Sequence, residues 1–179
     1  MEWLVIVAAV TVFLAAALAV TAALAAGQSD RARVVEENER AAIWEAGYRD
    51  RDLRVLAGLA ASAHSELCLE QVEIVLAHVG GGGDGVVVTG SRVDVDRLGR
   101  RISSGEGLAG RGLAEGRTRL TREGAAVVPI WSRARVVGVI TVTAGDTPLE
   151  PRHIARLEAL ATDAGRRLSR RNRVTRRAG

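Results

Sequence analysis

The residues best placed to do chemistry are Ser103, Ser104, Gly105, Glu106, Gly107, Leu108, Gly110 and Arg111, which form one stretch interrupted only by Ala109. Gly105 to Gly110 fits G-x-G-x-x-G, the pattern in which amides at a helix N-terminus cradle a pyrophosphate. That use needs a buried parallel strand before the glycines, a long helix after them and an acidic residue about 20 positions on. Here the approach is charged (Asp94, Asp96, Arg97, Arg100, Arg101) and Gly116 stops the helix early. Dinucleotide binding is therefore set aside. A small anion on the amides of Gly107 to Gly110 and a purely conformational role for the glycines both stay open.

Other reactive groups are sparse. There is one cysteine, Cys68, and the histidines are His64, His78 and His153. Their spacing offers no zinc-ligand set and no intramolecular disulfide. His64-Ser65-Glu66 has the shape of a phosphoacceptor, but the chain has no room for an ATP-binding domain. Gly82-Gly83-Asp84 starts like a diguanylate cyclase signature and is not followed by Glu-Phe.

The elements that must position these residues follow from the chain in order. Residues 3–26 carry no charge; as a helix they span about 36 Å, enough for a hydrocarbon core of about 30 Å. A cleaved signal peptide competes, with Ala-Leu-Ala-Ala before Gly27. The length of the run and Glu2 in place of a positive n-region favour an uncleaved anchor, residues 1–28. Arg31, Arg33 and Arg40 follow the span, so the positive-inside tendency puts the C-terminal body in the cytoplasm, on a single-pass protein of the inner membrane.

Residues 29–62 read as a helical stalk. Val34, Ala41, Tyr48 and Val55 recur every seven residues, with Trp44 at a second core position, which fits a coiled-coil seam and a homodimer. A solvated stalk fits as well; its place between a span and a domain favours the dimer. Beyond it, Cys68, Val72, Val75, Leu76 and Val79 share one face of a helix, which would be the first of the domain. Val86 to Thr89 and Arg92 to Val95 read as a hairpin turning at Gly90-Ser91.

Ile102 closes a strand, a short helix runs from about Gly107 to Ala114, and the chain re-enters a strand by Leu120. Val136 to Val142 is apolar on both faces and belongs at the centre of a sheet. Pro129 in its neighbour, Ala125 to Ile130, implies a bulge or strand end. Thr147 as N-cap and Pro148 at the first helical position open a last helix, whose stripe is Ile154, Leu157, Ala161, Ala164 and Leu168.

Gly-Glu-Gly-Leu-Ala-Gly-Arg at 105–111, Val-Val-Pro-Ile at 127–130 and Val-Gly-Val-Ile at 137–140 occur in that order, and the sequence resembles the GAF domain family over roughly Ala63 to Ser169. The resemblance implies an α+β fold with an antiparallel sheet flanked by helices over 63–169, behind the anchor and stalk and before a basic tail, 170–179. It implies a sensory or regulatory module whose turn and short helix line a ligand cavity. Family members that reduce methionine sulfoxide use several pocket cysteines, and this chain has one, in its first domain helix. The Asn-Lys-Phe-Asp-Glu pattern of cyclic-nucleotide binders is absent, because all 25 basic residues are Arg. No histidine falls where a haem ligand is expected.

Aromatic residues are 3% of the chain, leaving few rings for a flat cofactor or for nucleic-acid bases. The expectation is thus a non-catalytic, cofactor-free and metal-free module of a bacterial cell that binds a small ligand or a signalling partner such as a separate kinase. A ligand-free adaptor using the same fold for dimerisation and docking is the alternative. The arginine-dense end reads as a solvated tail within reach of anionic head groups, not as a nucleic-acid surface.

Overall fold

The computed structural model describes residues 31–78, 83–145 and 148–169. The apolar run 3–26, Val79, Thr147 and the tail 170–179 lie outside them. Among the described residues no helix is long and apolar enough to cross a membrane. Residues 31–37 are helical, with Arg33 Nε 3.0 Å from Glu37 one turn on.

The unit from residue 38 onward opens with a helix, α1, over 38–45. Gly47 takes φ 82°, its amide reaches the Trp44 carbonyl, and the Tyr48 amide reaches that of Ile43. This pair of bonds is a Schellman ending, with Tyr48 and Ile43 joined in the core. The heptad from Ala41 to Val55 is therefore interrupted. Ala42, Ile43 and Ala46 face inward instead, while Trp44 stands 67% exposed and donates to Asp50 at 2.7 Å.

After the break comes α2, Asp50–Leu67, opened by the Asp52 carboxylate accepting the Arg49 amide at 3.3 Å. Its inward face, Leu53, Leu56, Leu59, Ala60 and Ala63, falls largely within the stretch expected as stalk. An amphipathic helix buries such a stripe on whatever apolar surface lies nearest, and here that is the chain's own sheet.

The region expected as the first domain helix is a strand. β1 spans Gln71–Ala77, with Val72 to Leu76 buried on both faces. An apolar run this short fits either period, and pairing with a strand on each side decides for the strand. The expected hairpin at Gly90-Ser91 is corrected too: β2 runs straight through it, Gly85–Ser91, and pairs with β1. Gly90 is there for close approach, since a Cβ would lie 2.2 Å from the Val72 carbonyl oxygen. The Val93 and Val95 region is not a strand; a 3-10 turn forms at Val95–Arg97.

Four more strands complete the sheet: β3 Arg101–Ile102, β4 Arg119–Leu120, β5 Ala125–Ser132 and β6 Arg135–Thr143. The order is β3-β2-β1-β6-β5-β4, every pair antiparallel. β6 lies at the centre as expected. The irregularity expected near Pro129 appears as a register shift between Ile130 and Trp131, after which β5 continues.

Helix α3, Gly107–Glu115, crosses one face of the sheet, and α4, Pro151–Ser169, packs on the other beside α2. α4 starts three residues later than expected, with Pro151 in place of Pro148 at its first position. Glu150 precedes it: the His153 and Ile154 amides reach the Glu150 carbonyl, and His153 Nδ1 accepts the Glu150 amide at 3.1 Å. Leu157, Ala161, Ala164 and Leu168 are buried as expected, with Ile154 packed beside them.

The core divides at the sheet. On the α1, α2 and α4 side it is large, with Ile43, Leu56, Ile74, Leu76, Ile130, Ile140 and Leu157 fully buried. On the α3 side it comprises Val75, Val87, Ala109, Leu113, Val127 and Val139. Polar ties add to the packing: Thr89 Oγ1 on β2 donates to Glu39 on α1 at 2.6 Å, and Arg156 on α4 meets Glu66 on α2 at 2.6 Å.

Tyr48 donates to the Val137 carbonyl at 3.2 Å. Burial pushes its phenol up to about 12; Arg135 pulls it down and Asp52 raises it. Because the folded protein holds this proton more tightly, the stabilisation is full below pH 10 and is lost as pH rises toward 12. Wild type should lose stability across that window more steeply than Tyr48→Phe when unfolding is followed at a series of pH values.

Candidate functional site

The segment from Ser103 to Arg111 is built by glycines that take backbone angles closed to other residues. Gly105 and Gly107 adopt φ 84° and 61°. The Gly105 amide reaches the Gly110 carbonyl at 2.9 Å and the Glu106 amide the Ser103 carbonyl at 3.1 Å, folding the loop back on its helix. Gly110 lies under that loop, where a Cβ would stand 2.2 Å from the Ser103 oxygen. Gly116, φ 62°, ends α3 in the left-handed conformation expected of a helix-stopping glycine.

Ser103, Ser104, Gly105, Glu106, Gly107 and Arg111 line one exposed rim, while Leu108 is half-buried and Gly110 buried. The rim carries charges of both signs, Glu106 and Arg111. The Gly110 amide is committed to the Glu106 carbonyl at 3.0 Å, so it is not part of an anion-holding set. Asp84 Oδ1 accepts the Ser104 amide at 2.9 Å, and Arg111 Nε donates to the Gly107 carbonyl at 2.9 Å. The antiparallel sheet and two-residue β3 also remove the parallel framework that a dinucleotide loop needs.

Beneath α3 the sheet is met by the helix's own side chains. Leu113 and Ala109 touch the valines of the smaller core, and a Cβ on Gly112 would lie 2.5 Å from Val127 Cγ2. The helix therefore lies at close range on β5 and β6.

Farther along the same face is a polar group that the sequence reading passed over. Glu73 of β1 is 5% exposed, opposite Gly90 of β2 and Thr141 of β6. Arg97 lies over it, Nε 2.8 Å from Oε2 and Nη2 3.2 Å from Oε1. At 2.8 Å the Nε and Oε2 atoms form a close ion pair without hydrogen-bond alignment, and Thr141 Oγ1, also buried, has no hydrogen-bond partner. The signal was available: a single Glu inside Val72-Glu73-Ile74-Val75-Leu76 is a charge in a run that must be buried.

Cys68 is exposed, not core-facing as expected from a helical reading, and caps α2 at φ 51°. A side chain is strained there, so Cys68→Gly should stabilise the fold by about 0.5–1 kcal/mol in chemical denaturation. His78 follows β1, not a helix, and its amide reaches the Asp84 carbonyl at 3.0 Å. Among the described residues no group of His, Cys, Asp and Glu is arranged to hold a metal ion.

No protein-family model and no curated protein sequence matches the chain. Solved structures do. The second GAF domain of DevS from Mycobacterium smegmatis is similar at 18% identity and TM-score 0.58, over 72% of this chain and 99% of that one. The GAF domain of a phosphoenolpyruvate-protein phosphotransferase from Coxiella burnetii gives 13% identity and TM-score 0.60, over 80% and 98%. A free methionine-R-sulfoxide reductase from Neisseria meningitidis, solved in complex with its substrate, gives 21% and 0.54, over 78% and 89%. At these identities the likeness shows the fold: a six-stranded antiparallel sheet between helices, GAF-like, of the α+β class.

Proposed function

From this GAF-like fold we propose a non-catalytic sensory or regulatory module, held at the inner membrane through residues 3–26 with its domain in the cytoplasm. It takes up a small ligand or a protein partner, such as a separate kinase, on the α3 face of the sheet. It relays the change through α1 and α2, across a homodimer. The observation that carries this reading is the asymmetry of the two faces. α3 is a short helix between glycine hinges at Gly105, Gly107 and Gly116, resting on a small cluster. α1 and α2 belong to the large core, so the rigid side of the domain is the one joined to the N-terminal segment.

Similar folds in DevS and in the phosphotransferase support a regulatory role. The likeness to a sulfoxide reductase raises an enzymatic reading, but the single thiol caps α2, away from the α3 face. Loss of a sulfoxide-reducing activity in Cys68→Ala would overturn the non-catalytic reading. Thermal-shift screening of the full chain against metabolites and nucleotides tests the leading one. Specific, saturable stabilisation with slowed amide exchange in α3 is expected.

A ligand-free adaptor is the second reading, and the close seating of Leu113 and Gly112 on the sheet favours it. No hit in the screen, together with a stable dimer, would decide for it. Alkaline phosphatase activity from a reporter fused at Gly179 would overturn the cytoplasmic orientation.

A further inference from the structure

The α3 face of the sheet has an apolar half and a polar one. Val75, Val127 and Val139 form the first, under α3. Glu73 and Thr141, side by side on β1 and β6, begin the second. Gly90 supplies no side chain beside Glu73. That space is taken from above by Val93, whose Cγ2 lies 2.3 Å from where a Gly90 Cβ would stand.

Val93 and Arg97 belong to a strap over residues 92–98 that starts at Arg92, φ 56°, and ends against Gly99, φ 79°. The only regular structure in the strap is one 3-10 turn. Glu73 is thus sealed by a short segment whose charged tip, Arg97, is itself 40% exposed on its side chain.

As a packing device this group is poor. A buried ion pair is often no more stabilising than apolar side chains of the same volume. A buried hydroxyl without a partner is unfavourable in addition. As a recognition device it is complete except for one element, a donor that satisfies Glu73 and Thr141 together.

We propose that Glu73 and Thr141 anchor a small organic cation, an ammonium or guanidinium group on a short apolar body. The Arg97 guanidinium holds the position that this cation takes. The carboxylate accepts two charge-assisted N–H bonds and Thr141 Oγ1 accepts a third. Arg97, already 40% exposed on its side chain, swings outward with the strap, and Val93, moving with it, frees the space over Gly90 for the apolar body. An anion cannot take the place of the Arg97 guanidinium against the Glu73 carboxylate, so it is excluded from this position. The assignment rests on the proposal that this sheet face receives a ligand, and it names that ligand's class.

The test uses the full chain, ethylguanidinium and butylammonium chloride as probes, and sodium butyrate and sodium chloride as controls. The cations should raise the melting temperature of wild type saturably, and the controls should not. Removing the internal competitor in Arg97→Ala should tighten the apparent affinity about tenfold. Glu73→Gln should abolish the response. Thr141→Val, which leaves the ion pair in place, should weaken it several-fold and serves if Glu73→Gln does not fold.

An equal response in Glu73→Gln or Thr141→Val, or a response in Arg97→Ala with none in wild type, overturns the assignment. A hit from the metabolite screen that binds Glu73→Gln as well as wild type overturns it too, while leaving the sensory reading standing.

Discussion

Gly165→Ala is expected to lower stability by about 3 kcal/mol, a fall of about 10 °C in melting temperature for a domain of this size. Helix propensity alone has the opposite sign, since Ala exceeds Gly by about 1 kcal/mol inside a helix. Packing outweighs it because α4 presses its backbone onto β5 at this position. A Cβ on Gly165 would lie 1.9 Å from the Trp131 carbonyl oxygen and 2.9 Å from its carbon. Those are backbone atoms just past the register shift in β5, so no side chain can move aside. Thermal unfolding of the variant decides the matter. An unchanged or raised midpoint would mean that α4 does not seat on β5 in this way.

Leu157→Ala should cost about 2–5 kcal/mol, in the upper part of that range where the cavity cannot collapse. Leu157 is fully buried among side chains of the larger core, between two helices and the sheet. Leu108→Ala, on α3, removes a half-buried side chain from the smaller cluster and should cost about 1 kcal/mol. Urea unfolding of the two variants measures the difference between the faces directly. Equal losses would contradict the division of the core on which a movable α3 depends.

The parts of this fold that glycine punctuates were readable in the sequence. The break at Gly116, the turn at Gly105 and the central position of β6 all appear where expected, because backbone angles and unbroken Val-Ile runs are local properties. β1 was not readable in the same way. Val72, Val75 and Leu76 satisfy the helical period as well as the strand period, and only the sheet partners on both sides decide between them.

The same ambiguity hid the most unusual group in the domain. On a helix Glu73 would have been one more solvated carboxylate; on a central strand it is buried, and it draws Arg97 from 24 residues away. Gly90 misled for a related reason. A glycine that reads as a turn was needed for the proximity of two strands, a long-range requirement that no local pattern carries.

The two outermost strands are only two residues long each, and each carries an arginine, Arg101 on β3 and Arg119 on β4. Short, charged borders offer a poor template for an incoming chain to add a strand. Sideways growth into a continuous sheet between molecules is therefore disfavoured, and any self-association is directed to the helical surfaces. Many copies of this domain can then be crowded together without fusing along their sheets.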